Sequence, residues 1–554
     1  MRYLLLVLAA ITLVTCKPAE QAVNSEPAVP FTWDNATIYF MMTDRFHNGD
    51  KGNDHVHSDD APPAPYRGFM GGDVKGITQK IKEGYFNDLG VDAIWMTPLV
   101  EQIQGSVDEG TGTSYPFHGY WTRDWTAIDS RFGTAVEVKE MVQTAHEHGI
   151  RILMDAVANH TGPVTEQSPV WPAEWVRTGP QCTYENAETT ISCTLVKNLP
   201  DILTDSEQEV DLPPFLVDKW KSEGRYEQEV AELDEFFTTT GYRRTAVNYI
   251  IKWLVDLIKD YGIDGYRVDT VKHTEAEVWT ALYKAATEAY ALMQKEQPDM
   301  VLPDNEFYMV GEVYNYYIGN GRLYNYNDTV VDFYDNAFHA LINFDLKGSD
   351  GMTYEEVYTK YDNILHNGGM ATKSVVNYMS SHDDGSPYDK DRSKPLEAMT
   401  RLLLAPGAAQ IYYGDETARS LSVEADGDAV LRSFMNWDEL ATDAPRGEYS
   451  VKQVLEHTQK LAKFRQRHPA VGAGRHFMTT SSPYLFIREY TNGDFQDLVL
   501  IGLDLPAEVI DITVGPTVAD GEVVRDAYSG AVVTVAEGKV SFTPQGGVLL
   551  LEVM

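Results

Sequence analysis

Gly262-Ile263-Asp264-Gly265-Tyr266-Arg267-Val268-Asp269-Thr270-Val271-Lys272-His273 reads as a short buried strand that ends in charge. Residues 263–268 are strand-like, and Arg267 and Asp269, two positions apart, project to the same side. A carboxylate beside a guanidinium stays ionised at neutral pH. That is the state a carboxylate nucleophile requires. Taken alone, the same pair also suits a structural Arg–Asp cap on a strand.

Three further stretches repeat the pattern. Apolar residues 150–154 run into Asp155-Ala156-Val157-Ala158-Asn159-His160. Val310-Gly311-Glu312-Val313-Tyr314 places an acid after another apolar run. Val375-Val376-Asn377-Tyr378-Met379-Ser380-Ser381-His382-Asp383-Asp384 places His and Asp after a third. Apolar strands that end in carboxylate or imidazole, separated by helical stretches, predict a parallel α/β barrel of the (β/α)8 TIM type. There the reactive side chains sit at the C-terminal ends of the strands.

These four segments, in this order, resemble the four signature regions of the α-amylase family, glycoside hydrolase family 13. Gly90-Val91-Asp92-Ala93-Ile94-Trp95-Met96-Thr97-Pro98 resembles its second barrel strand, and Ile411-Tyr412-Tyr413-Gly414-Asp415-Glu416 the end of its eighth. Phe117-His118-Gly119-Tyr120-Trp121 resembles the loop that gives the sugar an aromatic platform. The likeness runs from about residue 31 to the C-terminus, with gaps in variable loops.

The resemblance implies roles. Asp269 would be the nucleophile, Glu312 the general acid/base and Asp383 a third carboxylate gripping sugar hydroxyls. Arg267, His160, His382, Tyr120 and His118 would line the substrate site, with Lys272 and His273 on the leaving-group side and Asp155 supporting the cleft floor. The residues themselves favour the division of labour. Asp269 has Arg267 to keep it charged, whereas Glu312 lies between apolar Val310 and Val313, where desolvation raises a carboxyl pKa. A glycosidic bond cleaved by two carboxyls needs one ionised and one protonated.

The resemblance also implies Ca²⁺. Asn48, Asp50, Asn53 and Asp54, completed by Gly71 and Asp73, look like the N-terminal calcium loop of some members. Closely spaced hard oxygens suit Ca²⁺, though an Asx-rich solvated turn would read the same way. Asn159, Asp201 and the carbonyl of His273 match a second site between the barrel and an inserted domain B.

Composition narrows the partners. A net charge of −38 disfavours nucleic acid and anionic membrane surfaces, but does not repel a neutral α-glucan such as starch, glycogen or maltooligosaccharides. One early positive charge and the short apolar run 4–14 form an export signal, too short for a membrane anchor. Leu13-Val14-Thr15-Cys16 resembles a lipoprotein box, which would lipidate Cys16; a plain cleaved signal is the alternative. The expected location is therefore periplasmic or an outer-membrane or cell-surface lipoprotein, the lipid being the sole membrane contact of a monomer. Export makes a Cys182–Cys193 disulfide possible, closing a local loop worth roughly 2–3 kcal/mol. Two free thiols in a variable loop is the other reading.

The expected organisation is a signal region at 1–16, a tether at 17–30, the barrel at 31–161 and 242–474, domain B at 162–241 and a C-terminal antiparallel β-sandwich at 475–554. Residues 161–241 show no clear hydrophobic period, and residues 246–260 read as an amphipathic helix. Short β runs split by Gly, Pro and Asp begin near residue 482. They suit the family's C-terminal domain better than a separate carbohydrate-binding module. The expected activity is endo-acting, retaining hydrolysis of α-1,4-glucosidic bonds. A cyclomaltodextrinase, neopullulanase or glucanotransferase is the alternative inside the family. A non-catalytic glucan-binding homologue is disfavoured because Asp269, Glu312, Asp383 and Arg267 are all present.

Overall fold

The computed structural model describes residues 29–54, 61–303, 305–335, 337–515 and 517–554. Cys16, the signal region 1–16 and most of the 17–30 tether lie outside the described residues.

Eight strands form the centre: β1 (Thr37–Met41), β2 (Ala93–Met96), β3 (Arg151–Ala156), β4 (Gly265–Val268), β5 (Tyr308–Gly311), β6 (Ala340–Asn343), β7 (Ser374–Tyr378) and β8 (Ala408–Tyr412). Each pairs in parallel with the next, and β8 closes on β1. Every residue of all eight is buried. That explains their near-continuous apolar runs: a parallel sheet under helices is covered on both faces. Among the covering helices are α1 (Val74–Lys82) and α2 (Ala135–Glu147). A reciprocal cap between Thr134 and Glu137 starts α2 and satisfies two otherwise unpaired helix-end donors.

Between β3 and β4 the chain makes its long excursion. Two helices stand where no period was expected: α3 (Pro214–Glu223) and α4 (Tyr226–Thr240). Their apolar stripes are thin. Only Leu216 and Trp220 are buried on α3, and Leu233, Phe236 and Phe237 on α4, so charges dilute the pattern. The excursion docks through tryptophans onto α5 (Ala246–Tyr261): Trp175 stacks on Trp253 at 6.0 Å and Trp220 meets the same ring edge-on at 6.4 Å. The sulfurs of Cys182 and Cys193 are joined.

Gly262 stops α5 with φ 75°, a conformation that costs glycine little. At Gly265, where β4 opens, a Cβ would lie 2.2 Å from the Tyr308 carbonyl, so only glycine lets β4 and β5 start this close. Between them, fully buried Asp264 accepts from the Ile152 amide, the Tyr290 hydroxyl and the Asn305 amide at 2.8–2.9 Å. It also pairs with His146 Nε2 at 2.8 Å. Asp264 ties the lower end of β4 to its neighbours and leaves the upper end, with Asp269, for chemistry.

The chain continues through α6 (Ala276–Glu296), α7 (Tyr354–His366), α8 (Pro395–Leu403) and α9 (Val451–Arg467). It ends in β9 (Arg475–Ser481), β10 (Tyr484–Asn492), β11 (Phe495–Leu503), β12 (Ile510–Thr513), β13 (Val523–Asp526), β14 (Val532–Thr534), β15 (Lys539–Phe542) and β16 (Leu549–Val553). They build an antiparallel sheet in the order β9-β10-β11-β16-β13-β14 and a two-stranded sheet, β12-β15. The two share a small core that includes Leu500, Ile512, Val524, Phe542 and Leu551. Among the described residues, no helix is long and apolar enough to cross a membrane.

Candidate active site

Arg267 is the hub. It is 2% exposed, and its Nη1 donates to Asp155 Oδ1 at 2.9 Å and Asp269 Oδ1 at 2.7 Å. Its Nη2 lies 3.4 Å from Glu312 Oε2. One guanidinium from β4 thus gathers carboxylates from the ends of β3, β4 and β5. The backbone fixes their heights: Asp269 N donates to Ala156 O at 3.0 Å and Glu312 N to Val268 O at 2.9 Å. Thr270 sits at φ 50°, which is strained for a β-branched residue. That twist aims its amide at Glu312 Oε2, 2.9 Å away.

Glu312 is 6% exposed. Burial raises its carboxyl to about 8; Arg267 and the Thr270 amide oppose the rise, while Asp269 and Asp383 add to it. It is therefore largely protonated at neutral pH. Asp383 lies in the loop beyond β7, with a third of its side chain open to solvent. Burial alone would raise it, but His382, Arg267, the Ser381 hydroxyl and Arg432 outweigh that and hold it below its ordinary value. Ser381 Oγ donates to it at 2.8 Å. The protonated Glu312 and the Arg267-paired Asp269, held around one guanidinium, are the two partners that glycosidic cleavage needs.

The aromatic wall follows. Tyr120 stacks on His382 with centroids 5.3 Å apart and planes 15° from parallel. Its hydroxyl donates to Asp155 Oδ2 at 2.8 Å, as does Trp95 Nε1 at 3.1 Å. Asp155 is thus the buried support beneath the floor, raised by burial to about 6. His118 lies behind the wall: its Nδ1 accepts from the Tyr120 amide at 3.0 Å. His160 Nε2 is 3.2 Å from the Tyr120 carbonyl. Burial lowers His382 to about 4, so it is a neutral imidazole at pH 7. Its Nδ1 is buried without a hydrogen-bond partner.

On the other flank, Lys272 Nζ donates to the Tyr314 carbonyl at 3.2 Å. His273 Nδ1 meets the Thr190 carbonyl at 2.8 Å, which ties the disulfide loop to the end of β4. Tyr184 of that loop packs edge-on against His273 at 5.9 Å. Tyr184, Tyr314 and Tyr317 are all exposed there.

Sequence alone does not pick out Arg432, whose Nε donates to the His382 carbonyl at 2.8 Å. It lies in an irregular segment beyond β8, far from any motif. Trp95 was inside a recognised strand, but nothing local revealed its contact with Asp155. Tyr184 carried no signal beyond its place between two cysteines.

Both expected cation sites show oxygen without enough donors. In the first, Asn48 Oδ1 and Asn53 Oδ1 are buried and accept no hydrogen bond. Asn48 Nδ2 donates to both Asp54 oxygens at 2.9 Å, and a Cβ on Gly71 would strike both side chains. Other members of the set are engaged: Asp50 pairs with Lys75 at 2.9 Å, and Asp73 caps α1 and accepts from the amides of Gly49, Asp50 and Gly76. In the second, Asp201 is 1% exposed and neither carboxylate oxygen has a hydrogen-bond donor. Arg177 Nε lies 3.0 Å away as an ion pair without hydrogen-bond geometry. Burial raises Asp201 to about 9. Among the described residues, no three His, Cys, Asp or Glu side chains gather as a metal site. Amide and carbonyl oxygens, which suit Ca²⁺, would have to complete either set.

Residues 40–446 match the family described as the α-amylase catalytic domain. The periplasmic α-amylase of Escherichia coli K12 is 33% identical over 539 residues, covering 86% of this chain and 73% of its own. The cyclomaltodextrin glucanotransferase of Thermoanaerobacterium thermosulfurigenes is 26% identical, covering 89% of this chain and 63% of its own. Among solved structures, the Geobacillus thermoleovorans α-amylase complexed with acarbose shares the fold with a TM-score of 0.64 at 20% identity, covering 95% of this chain and 99% of its own. The chain belongs to the α-amylase family of glycoside hydrolases.

Proposed function

We propose that the protein is an exported, endo-acting α-amylase that hydrolyses α-1,4-glucosidic bonds with retention. The observation that carries this is the arrangement around Arg267, where a paired Asp269 faces a protonated Glu312. Asp269 attacks the anomeric carbon as Glu312 gives its proton to the departing glycosidic oxygen. The bond to the leaving sugar breaks and a glycosyl ester forms on Asp269. Glu312, now ionised, takes a proton from water, which cleaves the ester and restores both groups. Asp383 and His382 hold hydroxyls of the same sugar, and Tyr120 supports its ring face. Arg267 holds both reacting carboxyls through one planar group, which supports the short separation of a retaining pair.

Ca²⁺ would bind through the amide oxygens of Asn48 and Asn53 with Asp50, Asp54, Gly71 and Asp73, and through Asn159, Asp201 and the His273 carbonyl. It would supply fold stability rather than chemistry. Residues 162–241 act as domain B and 475–554 as the C-terminal domain. The name of the E. coli relative supports export. Lipid on Cys16 would hold the monomeric enzyme at a membrane, and the mass of the mature N-terminal peptide tests that.

Transglycosylation is the second reading, favoured by the exposed Tyr184, Tyr314 and Tyr317 beside Lys272, which offer faces for an acceptor sugar. Time-resolved product analysis on starch, maltooligosaccharides, pullulan and cyclodextrins, with and without acceptor, separates the two. Early internal cleavage of starch supports the amylase. Cyclic or lengthened products dominating from the start would replace it with a transferase.

A further inference from the structure

A small hairpin stands out between β5 and β6. Its strands, Leu323–Asn325 and Val330–Asp332, pair with each other in a sheet of two. Such a hairpin is marginal by itself in water, and Leu323 and Val330 are more than half exposed. Core packing therefore does not account for it. The contacts of its tip have a common address, the leaving-group flank of the cleft. Asn327, at φ 79°, turns the chain, and asparagine tolerates that region. Buried Tyr326 donates its hydroxyl to the Lys272 carbonyl at 2.7 Å. Asn327 Nδ2 donates to the Glu185 carbonyl and Asp328 Oδ1 accepts from the Ala187 amide, both at 3.0 Å. One turn thus grips the chain beyond β4 and the disulfide loop of the excursion.

The grip falls beside Tyr184, which Glu185 follows directly. Tyr184 stands at φ 61°, a backbone strained for a bulky residue and kept only where its surroundings hold it. Its ring is 5.9 Å from Lys272 Nζ, and the Tyr314 ring is 5.6 Å from the same nitrogen. Two exposed rings beside one ammonium suit a sugar, which can turn apolar faces to the rings and a hydroxyl oxygen to Lys272. Hydrogen bonds between exposed groups add little net stability, so the clasp is better explained by what it positions than by what it stabilises.

We infer that Asn327 and Asp328 are positioning residues for the leaving-group side, holding Tyr184 where the departing sugar lies. The inference rests on the reading of the cleft given above. The test compares kcat/KM on maltoheptaose, which has a leaving sugar, with kcat/KM on α-maltotriosyl fluoride, which has none. Asn327→Asp and Asp328→Ala together open the clasp: Asp brings no donor to the Glu185 carbonyl, and Ala no acceptor to the Ala187 amide. The pair should lower kcat/KM on maltoheptaose about tenfold and leave the value on the fluoride unchanged. Each substitution alone should show part of that loss, which carries the test if the pair does not fold. Asp328→Asn keeps an acceptor oxygen and should match the parent. Tyr184→Ala should cause a loss like that of the pair, and the two combined no greater loss, because both act through one ring. A parent-like value on maltoheptaose with the clasp open overturns the inference and leaves the cleft as proposed. Equal losses on both substrates, losses that add to those of Tyr184→Ala, or an Asp328→Asn protein as impaired as Asp328→Ala do the same. A parent that turns over neither substrate sinks the reading of the cleft and this inference with it.

Discussion

Replacing Glu312 with Gln should stabilise the fold at alkaline pH while removing its acid. Burial, with Asp269 and Asp383 nearby, lifts this carboxyl from 4.5 to about 8. Between those values the folded chain keeps a proton that the unfolded chain has released, so stability falls as pH rises. The cost is absent below about pH 4.5, where both states are protonated, and complete above about pH 8. Each pKa unit is worth about 1.4 kcal/mol, so the limit is about 5 kcal/mol. Glu312 shares its charge with Asp269 and Asp383, which brings the working size to about 2–3 kcal/mol. Gln has nearly the same shape, stays neutral throughout and still offers an oxygen to the Thr270 amide. Thermal unfolding of both proteins at one scan rate, from about pH 5 to pH 9.5, reads the effect. The variant's advantage should be small at pH 5, grow through pH 7 and level off above pH 8. An advantage constant with pH, or a variant less stable than its parent at pH 9, would refute the electrostatic account of Glu312.

On starch, Glu312→Gln should lower kcat/KM roughly 10²–10⁴-fold, and far less on α-maltotriosyl fluoride, where kcat/KM reports the release of fluoride, which needs no proton. Equal losses on both would remove the acid role. In the parent, kcat/KM should fall about tenfold per pH unit beyond about pH 8, and a profile that stays flat to pH 9.5 would count against it. Excess Ca²⁺ should raise the melting temperature above that in EDTA, by linkage of about 2.7 kcal/mol at a hundred times Kd; coincident curves with no bound calcium would remove both proposed sites. Replacing Cys182 and Cys193 with Ser should cost roughly 2–3 kcal/mol and raise KM more than it lowers kcat. The loop they close carries Tyr184 and holds His273 through Thr190. An unchanged KM would show that the loop does not touch substrate.

What could be read in advance follows the physics of each element. β3, β4, β5 and β7 were legible because a buried strand is a continuous apolar run, and here each leads into a charged or imidazole group. β6 is just as buried, but Ala340-Leu341-Ile342-Asn343 matches none of the recognised segments, so nothing marked it. The Arg267–Asp269 pair was legible because period two puts both side chains on one face. That the same guanidinium also reaches Asp155 and Glu312 depends on β3 and β5 lying either side of β4, which is tertiary information. Arg432 and the Tyr184 loop approach the site through irregular chain, where no period constrains position. α3 and α4 were missed because a few buried side chains on each are enough once tryptophans clamp the excursion to α5.

The central claim is that Asp269 forms the glycosyl ester while Glu312 handles protons. Its most direct test is peptide mass mapping of Glu312→Gln protein exposed to α-maltotriosyl fluoride. Fluoride leaves without an acid, and the ester then lacks the base that would activate water, so it accumulates. The account predicts one maltotriosyl unit on the peptide that contains Asp269, attached at that residue. A stable adduct on another residue, or turnover of the fluoride with no adduct at Asp269, would contradict it.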